Sequence, residues 1–205
     1  MTHFSTLRDD ETNIEESSVN IFKKRVKVNH SKFIDFFCPN EMTSSRVNTI
    51  FSKEPETVEW IDSFENNSVF WDIGANIGLY SLYAALVHDS KVFAFEPAAS
   101  NYFCLCKNIE LNKLDKQIFP LCVSFSDHTK IAPLNMVSTE YGSSQNEFDY
   151  EKNDLGKKPD FMFQQSSIGF TINDFIKIYN PSLPNHLKID VDGIESLIIK
   201  ESNTL

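Results

Sequence analysis

This chain of 205 residues lacks several things, and each lack excludes a class of protein. No apolar run approaches the ~20 residues of a membrane-spanning helix, so no span is expected. The N-terminus, MTHFSTLRDDETNIEESS, has no basic-then-apolar order of a signal peptide, and cytoplasmic residence is the expectation. Cations are short: 19 Lys and Arg stand against 29 Asp and Glu, a formal net charge of −10. That balance argues against coating DNA or RNA and against spontaneous adsorption on anionic membranes, so no nucleic-acid partner is expected. The local clusters Lys23-Lys24-Arg25 and Lys157-Lys158 read as solvated surface. Cysteine is limited to Cys38, Cys104, Cys106 and Cys122, none grouped with histidine as metal ligands would be. They are expected to be reduced core or boundary residues, with no zinc site and no disulfide framework. The five histidines are scattered.

What is present is core material. The 18 phenylalanines and an apolar fraction of 41% are ample for one packed α/β domain, and the length is short for two. The informative stretch is VFWDIGANIGLYSLYAALVHDSKVFAFEP, from Val69 to Pro97. An apolar run ends in Asp72, Gly74 and Gly78 follow with Asn76 between them, and Leu79, Leu82, Tyr83 and Leu86 then recur at helical spacing. A second apolar run, Val92 to Phe95, ends in Glu96-Pro97. This is strand, glycine loop, helix, strand. A short loop and a right-handed crossover make the strands parallel neighbours with both acids at one carboxyl edge, where open α/β sheets bind ligands.

The glycines allow backbone to approach a ligand closely. Glu96 is placed to accept hydrogen bonds from both ribose hydroxyls of a nucleoside. The G-x-G-x-x-G fingerprint of dinucleotide folds is missing; the spacing here is D-x-G-x-N-x-G. Asp72 would repel a pyrophosphate and suits a ligand carrying a cationic amine, directly or through water. S-adenosylmethionine has that amine, a sulfonium, a ribose and no phosphate, and is favoured over NAD. Asn76 is left with two roles, bonding loop backbone or the ligand carboxylate, and the helix N-terminus near Gly78 favours that carboxylate.

DIGANIGLYS, VFAFEP and the later LKIDVDGIE, in this order and spacing, resemble the FkbM-type family of S-adenosylmethionine-dependent methyltransferases over roughly residues 37–200. The resemblance implies a Rossmann-like class I methyltransferase fold, a three-layer α/β sandwich on a mostly parallel sheet. It implies S-adenosylmethionine as cofactor and O-methylation of a hydroxyl on a sugar, glycan or small metabolite. In class I enzymes the loop after the third strand flanks the adenine, which makes Val123, Ser124 and Asp127 candidates there; a plain turn-former is the other reading of Asp127. A sheet of this class normally has seven strands, and only about four core strands can be counted before Leu205. The chain is therefore expected to be a fragment, a truncated reading frame or a reduced variant.

Along the chain, residues 1–18 are expected to be a loose acidic tail and residues 19–68 a β-hairpin with a helical extension. Residues 69–205 form the cofactor-binding core. Helices are expected from Thr43 to Phe51, with Val47, Ile50 and Phe51 inward, and from Pro55, with Val58, Ile61 and Phe64 packing. Ser100 is expected to cap a helix carrying Tyr102, Leu105, Cys106 and Ile109. Ile118 to Phe125 reads as a third buried strand, Ile131 to Val137 as an added edge, and Ile168 to Phe170 as a brief strand. Ser138 to Pro159 shows no period and is either mobile or a cover on the substrate side.

The strand HLKIDV brings Asp190, Asp192 and Glu195 to the carboxyl edge. Carboxylates this close can raise one another's pKa and supply a general base, so Asp190 and Asp192 are the catalytic candidates. The family commonly carries Glu at the position of Asp192. Glu195 reads equally as a helix-start acid. No histidine or further acid is spaced to complete a metal site, and none is expected. Two competing functions are a non-catalytic cofactor-binding or interaction module and, less favoured by the glycine spacing, a nicotinamide-dependent oxidoreductase.

Overall fold

The structure is a computed structural model that describes residues 22–28, 31–149, 160–191 and 193–200. The expected acidic tail, the Lys157-Lys158 pair and Asp192 lie outside the described residues.

The chain opens with an antiparallel hairpin, β1 (Lys23–Lys27) and β2 (Phe33–Phe37), as the alternation predicts. Its basic cluster is not simply solvated. Arg25 opposes Asp35 across the hairpin and grips its carboxylate through Nε at 2.7 Å and Nη2 at 2.9 Å. Lys23 reaches the same group at 2.7 Å, and these hydrogen bonds hold Asp35 down to about 2 against the upward push of burial. Helix α1 (Glu41–Asn48) follows, capped by the Asn40 side chain, and then α2 (Pro55–Asp62) with proline in its first turn. Val47, Ile50, Val58, Ile61 and Phe64 are buried as expected. Phe51 is not; it lies beyond the helix and is exposed, touching Tyr83 by an edge.

The central layer holds β3 (Val69–Ile73), α3 (Leu79–His88), β4 (Lys91–Phe95), α4 (Ala99–Asn112) and β5 (Ile118–Leu121). The predicted third strand stops early. Glu96 N donates to Leu121 O at 3.0 Å as the last rung, and Pro97 has no N–H to continue the ladder. The chain turns away, and β6 (Ser124–Phe125) joins a different sheet. Helix α4 begins two residues earlier than expected, after Ala98, and the Ser100 hydroxyl is buried without a hydrogen-bond partner rather than serving as the cap.

The second sheet contains β6, β7 (Lys130–Met136), β8 (Glu147–Phe148) and β9 (Phe163–Phe170), in the order β6-β9-β7-β8. Strand β7 is therefore interior, not an added edge, and β9 is eight residues long where only its last three were expected. Its first half, FQQSS, is mostly polar because one face meets solvent; the ladder to β7, from Lys130↔Gly169 to Met136↔Phe163, holds it extended. Helix α5 (Ile172–Tyr179), capped by Thr171, leads to β10 (His186–Ile189) and α6 (Glu195–Lys200).

The parallel sheet runs β10-β3-β4-β5. From β3 the chain moves outward through β4 to β5, then returns to pair β10 on the other side of β3. Strand order reverses beside β3, and at such a switch point the connections leave a crevice at the carboxyl ends. Side chains alternate across this sheet. Phe70, Val92, Ala94 and Ile118 pack under α3, α4 and the N-terminal segment, while Trp71, Ile73 and Phe95 face Phe125, Phe170, Phe175 and Ile198. Much of the phenylalanine goes into that second face, with Phe95 and Phe125 ring centres 4.9 Å apart and Phe95 and Phe175 at 5.3 Å. The fold is α/β and Rossmann-like, as read from the sequence.

Candidate functional site

A cavity of about 180 Å3 occupies the crevice at the carboxyl ends of β3, β4 and β10. Its glycine loop is shaped by the two neighbouring strands. Gly74 has φ +82°, and its N–H and that of Ala75 both donate to the Phe95 carbonyl, at 2.9 and 3.0 Å. A Cβ at Gly74 would run into the backbone carbonyl of Asp190, so this glycine is needed to bring β3 and β10 together at the cavity wall. Gly78 also has positive φ, but it is not part of the wall. A Cβ there would stand 2.5 Å from Leu105 Cδ1 and 2.8 Å from Leu82 Cδ1; its job is to let the start of α3 pack on α4.

Glu96 is the central polar group. It is 5% exposed and lines the cavity; Oε2 accepts from Asn76 N at 2.8 Å and Oε1 from Ala98 N at 2.9 Å. Burial pushes it up to about 7, against those two N–H donors and with the Asp72 charge adding to the rise. Each oxygen keeps a lone pair for a further donor. Asn76, in the left-handed region at φ 51°, bonds protein on every side: its N–H meets Glu96, its Oδ1 accepts from Ile77 N, and its Nδ2 donates to Ser143 O at 2.8 Å. Of its two expected roles, the loop-bonding one is what the geometry contains.

Asp72 lies behind the wall, 1% exposed. Oδ2 accepts from Ser81 Oγ at 2.6 Å, while Oδ1 is buried with no hydrogen-bond partner. Lys188 Nζ stands 3.9 Å from Oδ1, within ion-pair reach and beyond a hydrogen bond. Burial raises the Asp72 pKa, opposed by Lys188 and by the Ser81 hydroxyl. Lys188 also donates to Asp190 Oδ2 at 2.8 Å and sits 5.4 Å over the Tyr80 ring. Burial alone would lower its pKa; the carboxylates of Asp72, Asp190 and Glu54 together raise it, so the ammonium stays charged.

Asp190 reaches the wall as predicted, with its side chain 57% exposed and tied to Lys188. Glu195 takes the helix-start role: Oε1 accepts from Val191 N at 3.3 Å and Gly193 N at 3.2 Å. Val123 and Ser124 line the cavity, and the Ser124 hydroxyl is 3.2 Å from that of Ser167. Asp127 is outside the wall, bonded to Ser126 and His128, which lower its pKa in the manner of a turn residue. No group of three or more His, Cys, Asp or Glu that could hold a metal stands among the described residues, and the four cysteines are free thiols.

Sequence reasoning missed what closes the cavity. Residues 138–149 run across it, and two asparagines pin them: Asn76 and Asn101 both donate to Ser143 O, and Asn101 Oδ1 accepts from Gly142 N at 2.7 Å. Arg46 Nε donates to Gly142 O at 2.6 Å, and Asn40 to Tyr141 O at 3.0 Å. Ser143, Ser144, Asn146 and Phe148 thereby line the cavity, joined by Arg46, Lys53 and Glu54 from the N-terminal segment. The covering alternative for this stretch is the one its described part adopts. Only Lys188 carried a signal, as a lone cation inside the apolar strand HLKI; the rest come from long-range contacts with no local pattern.

No protein-family model matches the sequence, so the FkbM-type resemblance stands on the three motifs alone. Over 85 residues the chain is 34% identical to the methyltransferase sdnD of Sordaria araneosa; that stretch is 41% of this chain and spans 33% of the length of the relative. Among solved structures it is similar to P. horikoshii TYW2 in complex with MeSAdo, at 21% identity and TM-score 0.37, over 51% of this chain and 37% of that one. It is also similar to aTrm5 in complex with tRNALeu, at 21% identity and TM-score 0.34, over 50% of this chain and 28% of that one. With scores of this size, the fold assignment rests on the strand order and crossovers above. The exclusion of nucleic acid has the charge balance behind it and nothing from these comparisons. No helix among the described residues is long and apolar enough to cross a membrane.

Proposed function

We propose that this chain binds S-adenosylmethionine and serves methyl transfer, most simply to a hydroxyl oxygen of a sugar or small metabolite, as the FkbM-type resemblance implies. The observation that carries the reading is Glu96: a buried carboxylate at the end of the second parallel strand, facing a cavity beside a glycine loop with no pyrophosphate fingerprint. The residues present fit the cofactor. Gly74 makes the cradle that a Cβ would fill, Glu96 accepts the ribose hydroxyls, and Val123 to Phe125 with Phe148 flank the base. Asp72, buried behind the wall, adds negative charge on the side of the amine, and Arg46 and Lys53 offer positive charge to the carboxylate.

When bound, S-adenosylmethionine supplies a methyl group already activated by its sulfonium. The protein's share is alignment, exclusion of water and removal of the acceptor's proton. Asp190, with Asp192, is assigned the proton: as the methyl carbon exchanges its bond to the sulfonium sulfur, which keeps the electron pair, for one to the acceptor oxygen, the hydroxyl proton passes to a carboxylate at this edge. Lys188 bears on this, since its ammonium donates to Asp190 Oδ2 at 2.8 Å and so holds that carboxylate in place at the edge. The net charge of −10 supports a small acceptor over a nucleic acid. Titrating the cofactor calorimetrically into wild-type protein and into Glu96→Ala tests the proposal. Losing a buried charge-assisted hydrogen bond should weaken binding by ~1.5–3 kcal/mol, about tenfold to a hundredfold. Binding no tighter than that of NAD would reject it.

A further inference from the structure

Three asparagines surround the segment that covers the cavity, and two have both ends of their amides satisfied. Asn76 and Asn101 each donate to Ser143 O, and their carbonyls accept from Ile77 N and Gly142 N. Asn146 differs. Its Oδ1 is buried with no hydrogen-bond partner, and it lines the cavity. A buried amide oxygen left unpaired is costly, and a satisfied network is what such positions normally show. The unpaired oxygen asks for a donor from whatever fills the cavity.

Its position says which part of the ligand. Phe148 pairs with Leu134 across the second sheet, and both line the cavity. Asn146 stands two residues before Phe148, immediately ahead of β8, and lines the same cavity. The Phe148 ring lies against Gly169, where a Cβ would collide with it, and Gly169 pairs with Ser124. Asn146 and Phe148 therefore stand over the Ser124 loop, at the end of the cavity assigned to the base, while the ribose belongs to Glu96 on the neighbouring strand.

We propose that Asn146 reads the adenine base, its side-chain carbonyl accepting a hydrogen bond from the exocyclic amine. The discriminating residue is then supplied by the covering segment, in place of Asp127 on the loop after the third strand. Adenine carries a donor at this edge; hypoxanthine carries an oxygen there, which the asparagine can meet only by turning its amide over and an aspartate cannot meet at all. The inference rests on the S-adenosylmethionine reading.

The test measures binding of S-adenosylhomocysteine and of its hypoxanthine analogue to wild type, Asn146→Leu and Asn146→Asp. Wild type should bind the adenine ligand at least as tightly as the hypoxanthine one. Asn146→Leu should bring the two ligands within about twofold of each other. Asn146→Asp, which can only accept, should prefer the adenine ligand by about tenfold or more, the worth of one buried hydrogen bond with its mismatch penalty. Because the Asn146 side chain makes no hydrogen bond to the described protein, the melting temperature of the ligand-free Leu variant should stay near wild type. A preference that survives in Asn146→Leu overturns the inference, as does an equal loss for both ligands with a lowered melting temperature. Asn146→Asp that binds both ligands equally overturns it while leaving the cofactor reading intact; binding of neither ligand by wild type removes both.

Discussion

Glu96 shows how one residue ties stability to ligand binding. Its pKa is raised from an ordinary carboxylate value to about 7 by burial, with Asp72 adding to the rise and the Ala98 and Asn76 N–H groups and the Asn101 side chain opposing it. A raised value means that the folded state holds a proton the unfolded state has already lost. The stability this confers is full below the unfolded value near 4.5 and disappears as pH rises through about 7. At ~1.4 kcal/mol per unit, the effect is of order 3 kcal/mol. Two ribose hydroxyls donate best to the ionised form, so binding has the opposite slope. Affinity for the cofactor should rise about tenfold between pH 6 and pH 8, and Glu96→Gln should flatten that rise. Denaturant melts of the two ligand-free proteins should move in the variant's favour over the same range. A pH-independent affinity in wild type would mean that Glu96 does not meet the ribose. This residue was legible in the sequence because strand, acid and proline fall together in VFAFEP. Its altered pKa was not, since that comes from burial by long-range packing, with the Asp72 charge adding to it.

At the scale of elements, the two loop glycines look alike in sequence and differ in what surrounds them. Gly74 faces the Asp190 backbone carbonyl at the join of the first and fourth parallel strands; Gly78 faces the side-chain ends of Leu105 and Leu82. Backbone on two paired strands cannot move aside without breaking the ladder, whereas leucine tips can rotate. Both substitutions carry the cost of a left-handed conformation, ~1–2 kcal/mol. Gly74→Ala should cost clearly more than that and abolish cofactor binding, while Gly78→Ala should destabilise without abolishing it. Chemical denaturation beside ligand titration checks this, and equal binding losses in both would mean that the loop acts as one unit. The strand-loop-helix-strand unit was readable because its periodicity is local. The second sheet was not. FQQSS has no apolar alternation, and β7 provides its partner from about 30 residues away; likewise, nothing local in Arg46 or Asn101 tells that they hold Gly142 and Ser143.

For the whole molecule the governing quantity is charge. A formal net charge of −10 on a chain of this size sets up a field that falls off over a Debye length, ~10 Å at 0.1 M salt. S-adenosylmethionine carries a net positive charge at neutral pH, from its sulfonium added to a zwitterionic amino acid; the demethylated product has no net charge. The protein therefore attracts the methyl donor from a distance and has no long-range hold on the product. On the proposed function, methyl transfer itself removes the attraction. Close to the cavity the pattern is mixed, with Arg46, Lys53 and Lys188 among Glu54, Glu96 and Asp190, so short-range contacts can hold either ligand once it arrives. Steering should then appear in association rates more than in dissociation rates. In stopped-flow binding between about 20 mM and 500 mM salt, the association rate for S-adenosylmethionine should fall several-fold, and that for S-adenosylhomocysteine should stay nearly constant. Equal salt dependence for both ligands would show that the acidic surface lies elsewhere than around the cavity. The excess of carboxylates would then have to be explained by solubility or by a cationic acceptor.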